Sequence, residues 1–194
     1  MSRFVVIFGP PGVGKGTQAA RLKDALEIPH ISTGDMFRDH KARKTELGRR
    51  VEAILAAGQL VPDGVTNDMV RERLAQPDAA GGALLDGYPR NVGQAEVLDE
   101  ILAGLGHEVN DVVVIEAPEA ALIERLVNRG KDSGRPDDQD PAVIKNRLGV
   151  YEGQSAPCVG YYERTGKRLH HIDGIGSIDE VTGRILGALG VAAG

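Results

Sequence analysis

Short apolar segments without helical spacing alternate along the chain with segments in which apolar residues recur every three or four positions. The apolar segments lie at 4–8, 82–85 and 111–116, with briefer and more mixed ones at 29–31 and 169–172. They are typical of strands that are covered on both faces. Helical spacing predicts helices over 18–26, 45–57, 67–75, 93–103 and 119–129, and another from about 142. This alternation predicts an α/β fold with a parallel sheet covered on both faces.

The C-terminal part of the chain combines a capping signal with an amphipathic helix. Ser177 and Glu180 have the spacing of a capping box at a helix start. Four apolar residues are predicted to face the core: Ile178, Val181, Ile185 and Leu189.

Upstream, residues 130–141 form the most polar and breaker-rich segment, which predicts a mobile flap between two helices.

Residues 9–15 follow the first predicted strand and have the spacing G-x-x-x-x-G-K of a phosphate-binding loop. Glycines allow the backbone N–H groups to approach a polyphosphate closely, while Lys15 and the positive end of the next helix add charge. A glycine-rich turn beside a surface lysine is the alternative, but the strand before and the helix after argue against it. Gly16 stands where the strict motif has Ser or Thr, and Thr17 follows. A direct hydroxyl ligand for magnesium is therefore in question.

Size and composition narrow the class of protein. A chain of 194 residues with 41% hydrophobic content is expected to form one globular domain. Its net charge of −5 argues against non-specific nucleic-acid binding. Cys158 is the single cysteine, which excludes an internal disulfide and a multi-cysteine zinc site. With no signal peptide and no run of about 20 apolar residues, we expect a cytoplasmic protein that does not bind membranes.

Cationic side chains gather where ligands of parallel sheets bind. Arg90 and Asp86 lie at the carboxyl end of a predicted strand, and Asp86 holds the position from which such folds bind magnesium. A solvated arginine and a turn-capping aspartate are the plainer interpretations of these two residues. No histidine lies in a recognisable acid–base pattern, which favours transfer between two phosphates that need only be aligned and neutralised. The candidate cations beyond Lys15 are Arg38, Arg90, Arg129, Arg135 and Arg147.

Four motifs resemble, in order and spacing, those of the adenylate kinases. They are GPPGVGKGTQ at 9–18, STGDMFR at 32–38, DGYPR at 86–90 and GRPDDQ at 134–139. The resemblance implies a P-loop three-layer αβα fold with a five-stranded parallel sheet in one kinase domain, 1–194. It also implies an inserted clamp for the nucleoside monophosphate over 32–61 and a short lid over 130–140. A short lid and a single cysteine imply no zinc.

The resemblance also assigns roles to residues. Those implied to cradle ATP are Gly12, Val13, Gly14, Lys15, Gly16 and Thr17, with Arg125 against the adenine and Arg129 and Gly176 also at the ATP site. Those implied to contact AMP are Thr33, Arg38, Gln59, Val61, Gly87, Arg90, Gln94, Arg135 and Arg147. Lys15, Arg90, Arg129, Arg135 and Arg147 would neutralise the transferring phosphates. Asp86 would position Mg²⁺ through water, and Asp137 and Asp138 would hold the lid closed.

The expected reaction is reversible phosphoryl transfer from MgATP to AMP, giving two ADP and serving adenine nucleotide homeostasis. A UMP/CMP kinase shares the implied plan, and Asn91 favours that alternative. Thr33 and Gln94 favour adenine, since a glutamine amide can bond both the amino group and a ring nitrogen of that base. A non-catalytic nucleotide sensor is a third possibility. The expected partners are ATP, AMP and ADP, and the expected state is a monomer.

Overall fold

The computed structural model describes residues 2–133 and 136–191, and its centre is one parallel β-sheet. The strands are β1 (Arg3–Phe8), β2 (His30–Ser32), β3 (Gly82–Asp86), β4 (Val109–Glu116) and β5 (Arg168–Asp173). Their order across the sheet is β2-β3-β1-β4-β5, and every neighbouring pair is parallel. The predicted α/β fold with a five-stranded parallel sheet is confirmed.

Helices follow each strand. They are α1 (Lys15–Leu26), α2 (Thr33–Ala42), α3 (Glu46–Ala56), α4 (Asp63–Leu74), α5 (Val92–Gly104), α6 (Glu119–Ser133), α7 (Pro141–Val150), α8 (Pro157–Arg164) and α9 (Ile178–Ala188). Short 3₁₀ turns occupy Pro77–Ala79 and Pro136–Asp138, and a π-helical turn at Tyr151–Ser155 joins α7 to α8. None of the helices in the described ranges is long and apolar enough to cross a membrane.

The unbroken apolar run of β1 is explained by helix layers on both sides of the sheet. Phe4, Val6 and Phe8 point into one core, which also contains buried residues of α4, α5 and α8. Val5 and Ile7 point into the opposite core, against buried residues of α1, α6, α7 and α9. Each face of the strand is thus removed from water, which is the main source of stability in such a fold.

A third, smaller apolar cluster lies apart from the sheet. Phe37 of α2, Val51 of α3 and Met69 of α4 are buried there together with Val61, which lies between α3 and α4. Helices α2 and α3 lie within the predicted clamp, 32–61, and this separate core shows how that segment can hold its shape. The boundaries of the clamp and of the lid remain predictions.

Several predicted elements differ from the structure. Helix α4 begins at Asp63 rather than 67, because the Thr66 backbone N–H already donates to the Pro62 carbonyl oxygen at 3.2 Å and closes a first helical turn there. Helix α6 runs to Ser133, so the first residues of the predicted flap are helical. Helix α8 was not predicted, although Pro157 at its start is a typical signal.

At the C-terminus, the capping box of Ser177 and Glu180 is confirmed. Val181, Ile185 and Leu189 are buried, as predicted. Ile178 is 48% exposed, so its predicted core position is wrong. It is the first residue of α9, and the buried residues of this helix begin only at Val181.

Candidate active site

The phosphate-binding loop, residues 9–15, joins β1 to α1 as the sequence predicts. Gly12 has φ +87°, and a Cβ there would lie 2.8 Å from the Leu122 carbonyl oxygen and 2.9 Å from Leu126 Cγ. Only glycine therefore fits between this loop and α6. Gly14, with φ +102°, caps α1 and leaves the first N–H groups of the helix open to an anion.

Lys15 is the last residue of the loop, and its ammonium group is folded back on the loop backbone. Its Nζ donates to the carbonyl oxygens of Gly9 at 2.6 Å and Pro10 at 3.1 Å. Burial lowers the pKa of Lys15 to about 8; Asp86 opposes this, and nearby arginines lower it further. A bound polyphosphate would replace the repulsion of those arginines with attraction, so the loop is arranged to receive an anion.

Asp86 ends β3 beside the loop and is 8% exposed. Burial alone would raise the pKa of Asp86, but its hydrogen bond with His30, at 3.4 Å, and the charges of Lys15 and Arg90 outweigh burial and lower it. A Cβ on Gly16 would lie 3.8 Å from Asp86 Oδ2, so the position of the missing hydroxyl faces this carboxylate. An ionised carboxylate beside the phosphate loop suits a water-mediated Mg²⁺. Within residues 2–133 and 136–191, no group of three or more His, Cys, Asp or Glu could hold a metal alone.

One cavity of about 150 Å³ opens between the phosphate loop, the end of β3 and the clamp helices. It collects most of the residues expected to contact AMP, together with the loop lysine. Those lining it are Lys15, Thr33, Arg38, Gln59, Val61, Gly87, Arg90, Gln94 and Arg147. The expected ATP-side residues Gly12, Val13, Gly14, Gly16, Thr17, Arg125, Arg129 and Gly176 are not among the residues that line it.

Arg90 is fixed at the base of this cavity. Its Nε donates to the Gly87 carbonyl oxygen at 2.8 Å, and its own carbonyl oxygen accepts from Ser155 Oγ at 2.9 Å. Burial lowers the pKa of Arg90, Asp86 opposes this, and Arg147 and Arg38 lower it further. Arg38 pairs with Asp35 one turn earlier on α2. Ser155 was not predicted at the site, because nothing in its local pattern indicates this long-range contact.

Gln94 lines the cavity as expected, yet its amide is also part of an internal network. Its Oε1 accepts from the Arg90 backbone N–H at 2.8 Å, and its Nε2 donates to Asp63 at 2.7 Å. Asn91, which favoured the UMP/CMP alternative, caps α5 by accepting from the Gln94 backbone N–H at 2.8 Å. Its amide nitrogen donates to Asp63. The side chain of Asn91 is therefore engaged with the protein, which weakens the argument it gave for a pyrimidine.

Arg125 connects the phosphate loop to the β5–α9 loop. Its guanidinium donates to the carbonyl oxygens of Val13 at 3.5 Å and Gly174 at 3.1 Å. Gly176 lies two residues beyond Gly174 in the same loop, ahead of α9. The planar group is thus held between two loops, a setting in which a guanidinium can stack on a base.

The lid region brings two arginines onto one carboxylate, that of Asp138. Arg129 donates to both oxygens of Asp138, at 2.6 and 2.9 Å. Arg147 Nη1 donates to Asp138 Oδ1 at 2.5 Å and lies 2.9 Å from Asp137 Oδ2. Burial would raise the pKa of Asp138, whose side chain is 0% exposed, but the bonds and charges of the arginines lower it. Arg135 lies outside the described residues.

The end of the clamp touches this region. Asn146 Nδ2 donates to the Ala57 carbonyl oxygen at 3.1 Å. Gly58 has φ +68°, and a Cβ there would lie 2.6 Å from Arg147 Cγ. The backbone after α3 is thus in direct contact with the stem of an arginine that the lid carboxylates also hold.

A parallel sheet whose first strand leads into a phosphate-binding loop, next to a cavity lined by cations, defines a P-loop nucleotide-binding protein. Residues 7–167 match the family described as Adenylate kinase. The chain is 51% identical over 189 residues to an adenylate kinase of Kocuria rhizophila, covering 97% of this chain and 99% of that protein. It is 48% identical to adenylate kinases of Xanthomonas euvesicatoria pv. vesicatoria, over 96% of this chain and 98% of the relative, and of Stenotrophomonas maltophilia, over 95% and 98%. The chain belongs to the adenylate kinase family.

Proposed function

We propose that the protein transfers a phosphoryl group reversibly from MgATP to AMP, giving two ADP. The observation that carries this proposal is the cavity in which Lys15, Arg90 and Arg147 face one space next to the phosphate loop. These cations come from α1, the turn after β3 and α7, so the fold itself brings them together. A nucleotide sensor would need the loop, but not a second set of cations directed at a separate nucleotide.

The chemistry requires alignment and charge neutralisation. The attacking group is an AMP phosphate oxygen, which is already anionic, so no side chain has to remove a proton from it. Arg38 and Arg90 would hold the AMP phosphate, while Lys15 and the loop N–H groups would hold ATP. Arg129, Arg135 and Arg147 would cover the transferring group from the lid side. Mg²⁺, positioned by Asp86 through water, would neutralise charge on the ATP phosphates.

Exclusion of water is part of this function, since an exposed γ-phosphate would be lost to hydrolysis. Contacts between Ala57 and Asn146 and between Gly58 and Arg147 support a closed arrangement of the clamp against α7. Opening and closing on the μs–ms scale is then a candidate for the slow step of turnover.

A coupled assay with ATP and each of AMP, CMP, UMP and water tests the proposal. We expect fast ADP formation with AMP, slow or no formation with the pyrimidine nucleotides, and little hydrolysis. Faster transfer to UMP or CMP would show that the acceptor is a pyrimidine nucleotide rather than AMP. ATP binding without any turnover would indicate a sensor.

We also propose a monomer that works in the cytoplasm. Cys158 is buried, and burial raises the pKa of its thiol to about 12, so the thiol is unsuited to redox chemistry. A single cysteine of this kind is consistent with a reducing compartment. Light scattering after size-exclusion chromatography tests the monomer. A mass of twice 20.6 kDa would contradict it.

A further inference from the structure

The amide of Gln94 has a fixed direction. Its oxygen accepts from the backbone N–H of Arg90, and its nitrogen donates to the carboxylate of Asp63. A backbone N–H can only donate and an ionised carboxylate can only accept, so a reversed amide would face two unfavourable contacts. Gln94 is 1% exposed, and water cannot easily compensate for such a reversal.

Asp63 is the residue that fixes this direction from the clamp side. It is the first residue of α4, two positions beyond the predicted end of the clamp. Its carboxylate accepts from Gln94 Nε2 at 2.7 Å and from Asn91 Nδ2 at 3.0 and 3.1 Å. Asn91 is itself oriented, because its oxygen accepts from the Gln94 backbone N–H. The carboxylate thus receives donors from two side chains of the α5 start.

Thr33 has a fixed direction as well. Its hydroxyl donates to the Gly87 carbonyl oxygen at 2.8 Å, so that only its lone pairs remain for a ligand. Gln94 retains one N–H and one lone pair of its oxygen after its internal bonds are counted. The cavity therefore offers a base one donor from Gln94 and acceptors from Gln94 and Thr33.

This pattern distinguishes two kinds of purine. Adenine has an amino donor at C6 beside the acceptor N1, which matches a glutamine that presents its oxygen and its nitrogen in that order. Hypoxanthine has a carbonyl at C6 beside N1–H, so donor and acceptor are exchanged. Binding hypoxanthine in the same pose requires the amide to reverse against Asp63 and the Arg90 N–H.

We propose that Asp63 is a specificity-determining positioning residue, which acts through Gln94 to favour a 6-amino purine over a 6-keto purine. This inference rests on the proposed function, since it takes the cavity to be the AMP site. Asp63 acts without touching the base. Its effect is on the ratio of AMP to IMP efficiency rather than on the chemical step.

The test compares kcat/KM for AMP and for IMP at saturating ATP in the wild type and in Asp63→Asn. An asparagine offers one oxygen and one NH₂ group, so a donor must face either Gln94 or Asn91, and the penalty for a reversed amide falls. We expect the AMP/IMP ratio to fall about 10- to 100-fold, the range of one hydrogen bond to a charged group. Most of the change should appear as a lower KM for IMP, with the KM for ATP unchanged.

Two further variants make the result specific. Asp68→Asn, which removes an exposed ion pair with Arg71 on the same helix, should leave the ratio unchanged. In a Gln94→Ala background, Asp63→Asn should change the ratio by less than about twofold, because the residue it acts through is absent. The ratio is independent of how much enzyme is folded, so a loss of stability does not obscure it. Calorimetric binding constants for AMP and IMP give the same ratio where IMP turnover is too slow.

Three outcomes have distinct meanings. A wild type that transfers nothing to AMP refutes the proposed function itself. An AMP/IMP ratio in Asp63→Asn within about twofold of the wild type, with both efficiencies lowered together, shows that Asp63 only supports the fold and overturns the inference. A fall in the ratio that persists without the Gln94 side chain also overturns it, because the effect then takes another route.

Discussion

Replacing Lys15 with methionine should make the nucleotide-free protein more stable as its activity is lost. The ammonium group lies among Arg90, Arg129 and Arg147, and burial and these charges lower its pKa from 10.5 to about 8. The folded state therefore holds a proton that it would lose more readily than the unfolded chain. Methionine keeps a similar aliphatic length and removes the charge. Because the cost of the charge disappears, the variant should unfold less readily at neutral pH.

The size of the effect follows from linkage between protonation and folding. One unit of pKa is worth about 1.4 kcal/mol, so the change from 10.5 to about 8 corresponds to about 3 kcal/mol at most. Lys15 is half-buried at the edge of an open cleft, and solvent screening reduces the figure to about 1–2 kcal/mol. Below pH 8 both states are protonated and the folded state carries the full cost. As pH rises from 8 towards 10.5 the folded state loses its proton first, so the wild type gains stability relative to the variant.

Urea unfolding followed by circular dichroism at pH 7 and pH 9.5 measures this difference, since the chain has no tryptophan. We expect the advantage of Lys15→Met to shrink by about 1–2 kcal/mol between the two pH values. Lys23→Met, on the exposed side of α1, is the matched control and should show no such trend. A difference between wild type and Lys15→Met that stays constant with pH within about 0.5 kcal/mol would refute the reasoning. Lost hydrogen bonds to Gly9 and Pro10 would shift both values equally.

Three other substitutions test the site. Arg90→Ala should lower kcat by roughly 10²–10⁵-fold in the coupled assay if its charge neutralises the transferring group, and activity within a few-fold of wild type would contradict that role. Asp138→Asn should destabilise the fold by about 1–3 kcal/mol in urea unfolding at pH 7, because the carboxylate is buried against Arg129 and Arg147. The pKa of Asp138 is lowered below 3.8, so the difference should be full well above that pH and vanish as pH falls below it; a difference that persists in acid speaks against the ion pairs. Gly12→Ala should cost about 1–3 kcal/mol and abolish activity, since its Cβ meets α6 at φ +87°; a stable, active variant would show that the loop tolerates a side chain.

The sheet and the start of the last helix were predictable because their sequence signals lie within a few consecutive residues. The unbroken run of β1 and the glycine spacing after it are contained in residues 4–15, and the capping box of Ser177 and Glu180 in four residues. Helix α8 was missed because it is short, and its buried Cys158 and Tyr162 make only one helical repeat. Ile178 was assigned to the core since periodicity describes a face of a helix and does not say where that face meets the sheet.

The candidate site likewise combines features with a local sequence signal and features that depend on contacts between distant residues. Motif positions such as Lys15, Thr33 and Gln94 could be proposed from the sequence, and most residues expected on the AMP side line one cavity. The position of Asp63 could not be predicted, because it is defined by three hydrogen bonds between the starts of α4 and α5. Gln94 was predicted as a ligand of the base, but the hydrogen bonds that orient its amide join distant parts of the chain and have no local signal.

The contact between Gly58 and Arg147 bears on whether ATP is hydrolysed when no acceptor is bound. The arginine stem is confined by the backbone that follows α3, while its guanidinium is held by Asp137 and Asp138. If the clamp moves away from α7, the backbone after α3 no longer confines the stem of Arg147. The Arg147 guanidinium, which would stabilise charge on the ATP phosphates, is then less firmly placed. On the proposed function, a vacant acceptor site and a fully assembled donor site would then be difficult to maintain at the same time, and this would protect ATP from hydrolysis.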